Sequence, residues 1–218
     1  MLRGAGLAGL AAILAGCGQS GPYRMVKARL DPAGRSMAIM PFLAERDVKP
    51  SDGIVLSLWT QRRLKAELPD LNVIGPREIM ETLGARIPVD VAHRRADPID
   101  VARKLGVRLV LVGQMTLFDM HFDNEILSWC GTIRVRFRVL DVSSSPPVVV
   151  GRAEEQSFGL PEGLGQKYGT QFAARNKEPH FRRALFQHAA ERIAWFFFDH
   201  REETWTVNRT TMRTWKEQ

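Results

Sequence analysis

The sequence predicts an α/β sandwich, in which a mixed β-sheet is flanked by helices in the order strand, helix, strand, helix, helix, strand, strand, strand, helix. Three observations indicate this class. Two short segments have Pro in the first turn and Gly just past the end, as helices do, and the second of them leads into a run that is apolar on both faces, as a central strand would be. Two runs of alternating apolar and polar residues follow, which is the pattern of an antiparallel hairpin. An amphipathic segment near the C-terminus supplies a closing helix.

The predicted domain begins with a strand and a helix. The short apolar run "SMAIMPFL" is bounded by Pro41 and predicts a buried strand that ends there. Residues 51–68 predict a helix, because Ser51 or Asp52 can cap its start and its apolar residues recur at helical spacing. The side expected to face the core carries Ile54, Val55, Leu58, Trp59 and Leu64.

A second strand and two short helices come next. The run "LNVIG" predicts a strand, which the following Gly-Pro pair stops. Two segments then share the punctuation of a short helix, with Pro in the first turn and Gly just past the end: "PREIMETLG" and "DPIDVARKLG". In the second of them Asp97 supplies the cap.

The second half of the predicted sheet is antiparallel. Residues 107–115 are apolar on both faces, and the pattern then alternates. One face of this strand carries Phe118, Met120 and Phe122; the other carries the residues that we call the acidic ladder, Asp119, His121, Asp123 and Glu125. On the next strand, residues 132–142, apolar residues alternate with Arg134, Arg136 and Arg138. Because side chains alternate with a period of two, burying both apolar sets together places the acidic ladder opposite the arginines. A third strand, residues 148–158, follows a Ser- and Pro-rich turn.

The terminal helix, residues 179–200, carries more apolar surface than a monomer needs. One stripe faces the core: Leu185, Phe186, Ala189, Ala190, Ile193, Phe196 and Phe197. Trp195 and Phe198 fall on the opposite side, and Trp205 and Trp215 follow in a basic tail, residues 200–218. These four aromatic residues predict a surface that meets a partner subunit or lipid head groups. The alternative is that Trp195 is buried under the tail within the same chain.

The charged residues of the predicted hairpin allow two interpretations each. The acidic ladder could ligate a divalent cation. Its spacing matches none of the recognised metal motifs, so we expect no metal and interpret it as an exposed face that forms cross-strand ion pairs with the arginines. Arg134, Arg136 and Arg138 form a positive stripe suited to the carboxylate or phosphate groups of an anionic partner. The alternative is a solvated face that the acidic ladder neutralises.

The N-terminus has the layout of a bacterial export signal. Arg3 precedes an apolar stretch of about thirteen residues, which is too short to span a bilayer. Residues 14–17, Leu-Ala-Gly-Cys, resemble the lipobox, in which the Cys is diacylated and becomes the first mature residue. We therefore expect a signal peptide over residues 1–16, a lipidated tether over 17–36 and a domain over 37–199. An ordinary signal peptide with an incidental Cys17 is the alternative.

Composition narrows the class of partner. The chain has 31 Lys and Arg against 24 Asp and Glu, a net charge of +7, which suggests an acidic partner such as phospholipid head groups or an anionic polysaccharide. Nucleic acid is not expected for an exported protein. With Cys17 lipidated, Cys130 is the one remaining cysteine, so an intramolecular disulfide is not available and the domain must fold on its own apolar core.

Four segments together resemble a known superfamily: "SMAIMPFL", "LNVIGPREIMETL", "ARKLGVRLVLVGQMT" and "RVRFRVLDVSSSPPVVVGRAEEQ". In this order they are similar to the periplasmic domain of the CsgG-like superfamily, which has an anticodon-binding-like sandwich fold. That group includes the curli secretion channel, the penicillin-binding-protein activator lipoproteins and the Pel polysaccharide export lipoprotein. The Pel family is similar in forming a ring with aromatic residues at the membrane, so the resemblance implies a homo-oligomer or contacts with export-machinery proteins.

The expected function is a non-catalytic one. Nucleophile, phosphate-binding, zinc-protease and C-x-x-C motifs are missing from the sequence. No cofactor is expected apart from the covalent diacylglycerol and N-acyl lipid on Cys17. We predict a lipoprotein on the periplasmic face of the outer membrane that acts as a scaffold or assembly factor for an export or surface-structure system, in the form of a ring. The alternatives are a monomeric regulator of a peptidoglycan synthase and, ranked lower, an enzyme acting on cell-wall polymer.

Overall fold

A computed structural model describes residues 23–32, 34–84, 97–125, 127–160 and 175–203. The chain divides into two units, residues 25–200 and the residues that precede and follow them. The eight strands of the described residues are β1 (Tyr23–Val26), β2 (Met37–Ile39), β3 (Leu43–Ala44), β4 (Val73–Ile74), β5 (Leu109–Asp123), β6 (Ser128–Asp141), β7 (Val148–Leu160) and β8 (His200–Glu203). The α-helices are α1 (Pro50–Glu67), α2 (Pro76–Leu83), α3 (Pro98–Leu105) and α4 (Glu178–Ala194), and a 3-10 turn, Arg175–Lys177, precedes α4.

The main sheet is mixed, which confirms the predicted fold class. Its strands lie in the order β4-β2-β5-β6-β7, and β3 adds to β5 beside β2. Strand β2 is parallel to β4 and β5, and β3 is parallel to β5, whereas β6 is antiparallel to both β5 and β7. The predicted order of strands and helices is present, and β1, β3 and β8 are additions that apolar periodicity does not reveal.

Helices cover both faces of the sheet, but unequally. On one face α1 and α4 contribute to a large core that includes Phe42, Leu56, Leu64, Phe181, Leu185 and Phe186. On the other face α2 and α3 cover the start of β5 and the end of β6, around Ala38, Ile79, Val101, Val110 and Leu140. Each of the larger fully buried side chains contributes about 1.5–3 kcal/mol to folding. Farther along β5 and β6 the second face has no helix packed on it among the described residues.

A buried ion pair joins the two large helices. The Asp52 carboxylate, in the first turn of α1, is only 3% exposed and pairs with the Arg182 guanidinium of α4. Arg182 also lies over the rings of Phe118 and Phe186, at 4.6 and 5.5 Å from their centroids. Near the same end of α1, Ser57 Oγ accepts a hydrogen bond of 2.8 Å from the Phe42 N–H. These contacts fix α1 against both α4 and the sheet.

The predicted tether over residues 17–36 is wrong for the part that the structure describes. Residues 23–26 form β1, which pairs with β8 in a two-stranded sheet. The predicted tail likewise begins with a strand, because β8 occupies residues 200–203. Both strands are only four residues long and gain their stability from backbone hydrogen bonds rather than from an apolar pattern, so the sequence shows little sign of them.

Immediately after β1 the chain binds the segment that follows α4. The N–H groups of Arg29 and Leu30 donate to the Phe196 carbonyl, at N···O distances of 2.9 and 3.1 Å. Lys27 Nζ lies 2.6 Å from the Asp199 carboxylate, and Leu30 packs against the large core. We call these contacts between residues 27–30 and 196–199 the N-terminal clasp. The folded unit therefore begins before residue 37.

The terminal helix is shorter than predicted. It ends at Ala194, and residues 195–198 form turns and bends instead of continuing to residue 200. The predicted apolar stripe is buried throughout: Leu185, Phe186, Ala189, Ala190, Ile193, Phe196 and Phe197. Phe196 and Phe197 thus reach the core from the turn after the helix, because the turn carries them back toward the sheet.

Candidate functional site

The exposed side of β6 carries the three predicted arginines. Arg134, Arg136 and Arg138 are exposed and alternate with buried Ile133, Val135, Phe137 and Val139. They lie on the face of the sheet where α2 and α3 pack farther along, around Leu140. Since those helices stop short of the arginines, this part of the sheet is open to contacts from outside.

A fourth arginine joins this face from β7. In the register of the sheet, Arg138 lies directly between Val112 on β5 and Arg152 on β7. Like charges directly opposite each other on neighbouring strands are destabilising. A one-residue shift in register between Val139 and Leu140 creates the Arg138–Arg152 pair. Arg152 was not predicted from the sequence. If residues of β6 and β7 are paired one by one from the turn that joins these strands, without the shift, Arg138 lies opposite a different residue of β7.

The arginines and several apolar side chains line a shallow depression of about 510 Å³. We call it the arginine depression and define it by Leu43, Val112, Arg136, Arg138, Val149 and Arg152. Leu43 is 37% exposed and Val149 is 47% exposed, and the neighbouring Val148 is 49% exposed. The depression therefore offers an apolar wall as well as positive charge.

Most of the positive charge in the depression is already paired. Arg136 donates to Gln114 Oε1 at 2.9 and 2.7 Å and forms an ion pair of 3.1 Å with Glu45. Arg152 forms an ion pair of 2.7 Å with Glu154. Within the described ranges, no hydrogen bond or ion pair engages the side chain of Arg138. Of the predicted positive stripe, Arg136 alone has a carboxylate partner among the described residues: Arg134 donates only to Ser157 Oγ at 3.4 Å, and Arg138 within the depression remains available to a partner.

The predicted pairing of the acidic ladder with the arginines is wrong. The register sets Asp119 opposite Thr132, His121 opposite Cys130 and Asp123 opposite Ser128. The arginines instead pair with residues near the start of β5, so the ladder lies farther toward the hairpin turn. Its nearest charged contact is internal, with His121 Nδ1 at 3.3 Å from Asp119 Oδ2. Among the described residues no group of three or more metal-ligating side chains comes together.

The far end of the β5–β6 hairpin is acidic and carries an exposed leucine. We call residues 123–125 together with Leu127 the hairpin tip. Leu127 is 61% exposed, and its backbone has a positive φ of 50°, which is uncommon for a residue with a bulky side chain. Arg175 donates to Asn124 Oδ1 at 2.8 Å and so attaches the tip to the turn before α4. Glu125, two positions before the leucine in the sequence, is exposed.

The predicted aromatic interface is partly engaged within the chain. Trp195 is half-buried; its ring stacks on His200 at 4.2 Å, and Arg192 lies over it at 4.5 Å. Phe198 packs against the large core. Trp195 and Phe198 thus have contacts within their own chain, and the predicted interface with a partner or a membrane stays a prediction. Trp205, Trp215 and Cys17 lie outside the described residues, so their roles stay predictions.

Two titratable groups on β6, Asp141 and Cys130, have shifted pKa values. At the end of β6 the Asp141 carboxylate is 5% exposed and accepts hydrogen bonds from Arg108 Nε at 3.0 Å and from Ser143 Oγ at 2.6 Å. The hydrogen bond from Arg108 is the largest cause that holds the pKa of Asp141 well below its usual range. Cys130 on β6 is half-buried, and burial raises the pKa of its thiol.

Comparisons with known proteins give similarities of low identity. No protein-family model and no curated protein sequence matches the chain. Among solved structures, the PelC dodecamer from Paraburkholderia phytofirmans is 16% identical, with a TM-score of 0.45, over 81% of this chain and 96% of PelC. The hypothetical protein CT253 from Chlamydia trachomatis is 13% identical, with a TM-score of 0.42, over 74% of this chain and 96% of that one. Lipoprotein GNA1162 from Neisseria meningitidis is 18% identical, with a TM-score of 0.40, over 57% of this chain and 81% of GNA1162. With TM-scores below 0.5, these likenesses carry no argument about function.

One finding bears on membrane attachment. In the part of the chain that the structure describes, no helix is both long enough and apolar enough to cross a bilayer.

Proposed function

We propose that the chain is a lipid-anchored, non-catalytic scaffold or assembly factor on the periplasmic face of the outer membrane, where it serves an export or surface-structure system. The observation that carries the proposal is the short distance along the chain between the lipobox cysteine and the folded unit. Met25, the first residue of that unit, lies eight residues after Cys17. Eight extended residues span at most about 28 Å.

This distance limits where the folded unit can work. A lipid on Cys17 would hold residues 25–200 beside the bilayer, because the N-terminal clasp attaches residues 27–30 to the end of the folded unit. A regulator that must reach a synthase across the periplasm needs a longer tether than the chain provides. The alternative of a monomeric synthase regulator is therefore less favoured than a scaffold that acts at its own membrane.

The outer membrane and the scaffold role have separate support. Gly18 follows Cys17, whereas an Asp at that position resembles an inner-membrane retention signal. The described surface offers two features suited to contacts with other molecules, the arginine depression and the hairpin tip. Two or three acyl chains, at about 0.8 kcal/mol for each buried methylene, are sufficient for stable attachment without a membrane-spanning helix.

Lipidation is tested by labelling cells with a clickable palmitate analogue and isolating the full chain. We expect the wild type and the Cys130→Ser control to carry the label and to stay in the membrane fraction after carbonate extraction. Cys17→Ala should lose the label and leave that fraction. Label that persists on Cys17→Ala, or a Cys17→Ala chain that remains attached to membranes, would contradict the anchor and with it the proposed function.

A further inference from the structure

We propose that the hairpin tip of one copy of this chain docks into the arginine depression of a second copy, so that copies assemble head to tail. The inference rests on the proposed function, because anchoring through Cys17 gathers copies on one membrane in one orientation. The hairpin tip and the arginine depression would be the surfaces through which the scaffold assembles. The occupant of the depression is a second copy of the same chain.

The depression has the composition of a receptor for a leucine flanked by carboxylates. Leu43 and Val149 give it exposed apolar walls, which are 37% and 47% exposed. Arg138 stands opposite Arg152, a like-charge pair that a carboxylate placed between them would relieve. Within the depression, Arg136 and Arg152 have carboxylate partners, Glu45 and Glu154, whereas the side chain of Arg138 has no hydrogen bond or ion pair with a described residue.

The hairpin tip has the complementary composition. Leu127, at 61%, has the highest exposed fraction among the large apolar side chains of the described residues. Glu125 lies two positions before it with its carboxylate exposed. Docking would remove the Leu127 side chain from water and bring Glu125 toward Arg138. Both the apolar and the charged part of the contact are then matched between the two surfaces.

The tip and the depression cannot meet within one copy. Arg138 lies opposite Val112, eleven residues before Asp123 on the same strand β5. At about 3.3 Å per residue, the two surfaces are separated by about 36 Å along one continuous hairpin. A contact between two different patches on identical subunits is heterologous, and repeated copies of it close into a ring or extend as a filament.

An anionic polymer is the other occupant to consider, and the structure favours it less. A polymer would follow a continuous row of free cations. Here Arg136, which lies between Arg134 and Arg138 on β6, is paired with Glu45 and Gln114, and Arg152 is paired with Glu154, so the cations without a carboxylate partner do not form a continuous row. The exposed apolar walls have no counterpart in a polyanion, whereas they fit a leucine side chain.

The first experiment is disulfide cross-linking of the full-length chain in its membranes, in a Cys130→Ser background. We expect Leu127→Cys combined with Val149→Cys to give, on mild oxidation, a ladder of dimers, trimers and larger species on non-reducing gels. Each of these cysteines alone should give no species larger than a dimer. Leu127→Cys combined with Met25→Cys is the matched control, because Met25 is 58% exposed and lies outside both surfaces. Equal ladders from the two pairs, or no ladder from the first, would overturn the proposal.

The second experiment reverses charges and reads the same cross-linked fraction. Arg138→Glu and Glu125→Arg should each lower it by at least about tenfold, which corresponds to about 1.4 kcal/mol. The two changes together should restore most of it. Loss with Arg138→Glu that Glu125→Arg does not rescue would overturn docking of a second copy and would favour an anionic polymer instead.

The outcomes separate this inference from the proposed function. A wild-type chain that carries the palmitate label but gives no ladder would retain the anchor and refute head-to-tail docking. A Cys17→Ala chain that leaves the membrane but still gives the ladder, when purified and concentrated, would support both the anchor and the docking surfaces, and would show that the surfaces bind each other without the lipid.

Discussion

The buried ion pair between Asp52 and Arg182 should respond to mutation asymmetrically. The Asp52 side chain is 4% exposed and that of Arg182 is 35% exposed, so only the arginine can turn to water when its partner is lost. Arg182→Met leaves a carboxylate in the core without compensation. Asp52→Asn leaves a cation that solvent already reaches. We therefore expect the first change to cost more stability than the second.

The size of the asymmetry follows from the burial of each group. Removing one partner of a buried pair costs about 3–5 kcal/mol, and the exposure of Arg182 places Arg182→Met near 3 kcal/mol. Losing the cation–π contacts with Phe118 and Phe186 adds about 0.5 kcal/mol, part of which Met replaces with its own ring contacts. Asp52→Asn should cost about 1–2 kcal/mol. In the double variant no charge remains buried, so it should be about 2 kcal/mol more stable than Arg182→Met alone.

Urea unfolding of the purified chain, followed by circular dichroism, measures these differences. A gain of 2 kcal/mol raises the unfolding midpoint by about 1 M at a typical urea dependence of about 2 kcal/mol per M. Lys65→Met is the control, because Lys65 and Glu78 form an exposed pair at 3.3 Å and its loss should cost less than about 1 kcal/mol. A double variant that is less stable than Arg182→Met would refute the reasoning that Asp52 is held as a buried, compensated charge.

Three further predictions concern single residues. Because Arg108 holds the pKa of Asp141 well below its unfolded value near 3.9, the Asp141 carboxylate stabilises the fold fully above about pH 4, and its contribution declines as the pH falls from there toward the lower folded pKa; the difference in unfolding free energy between wild type and Asp141→Asn should therefore be constant between pH 7 and pH 5 and shrink progressively below pH 4, and a difference that does not change with pH would contradict this. Gly53→Ala should destabilise the fold by about 2 kcal/mol, because the new Cβ would lie 2.1 Å from the Phe42 carbonyl oxygen. This cost exceeds the gain of about 1 kcal/mol in helix propensity. A rise in melting temperature would contradict the prediction. Burial raises the pKa of the Cys130 thiol, so iodoacetamide at pH 7.5 should alkylate it much faster in urea than in the folded chain, and equal rates by mass spectrometry would contradict it.

The regular part of the fold could be predicted from the sequence because its signals are local. Pro at the start and Gly just past the end mark α2 and α3, and Gly84 and Gly106 both adopt the left-handed conformation expected there, with φ of 64°. Alternation with a period of two marked the faces of β5 and β6, and Arg134, Arg136 and Arg138 share one exposed face as predicted.

What failed depended on register and on distant contacts. Parity assigns each residue of a strand to a face, but it does not fix how far along the neighbouring strand its partner lies. The acidic ladder and the arginines were therefore paired incorrectly, because the turn that joins β5 and β6 sets Asp119 opposite Thr132 and His121 opposite Cys130. Arg152 was missed for the same reason, since a shift in register between β6 and β7 brings it opposite Arg138. Strands β1 and β8 were missed because residues far apart in sequence hold them together.

The N-terminal clasp also decides how the molecule would carry tension. If Cys17 is fixed in a bilayer and a partner pulls on the folded unit, the load passes through β1, which is paired with β8, and then reaches Lys27, Arg29 and Leu30. Two hydrogen bonds to one carbonyl oxygen and an ion pair to Asp199 then share that load. The strands of the main sheet are reached only after these contacts yield. The clasp would therefore break before the main sheet does, and so protect the sheet from force applied through the anchor.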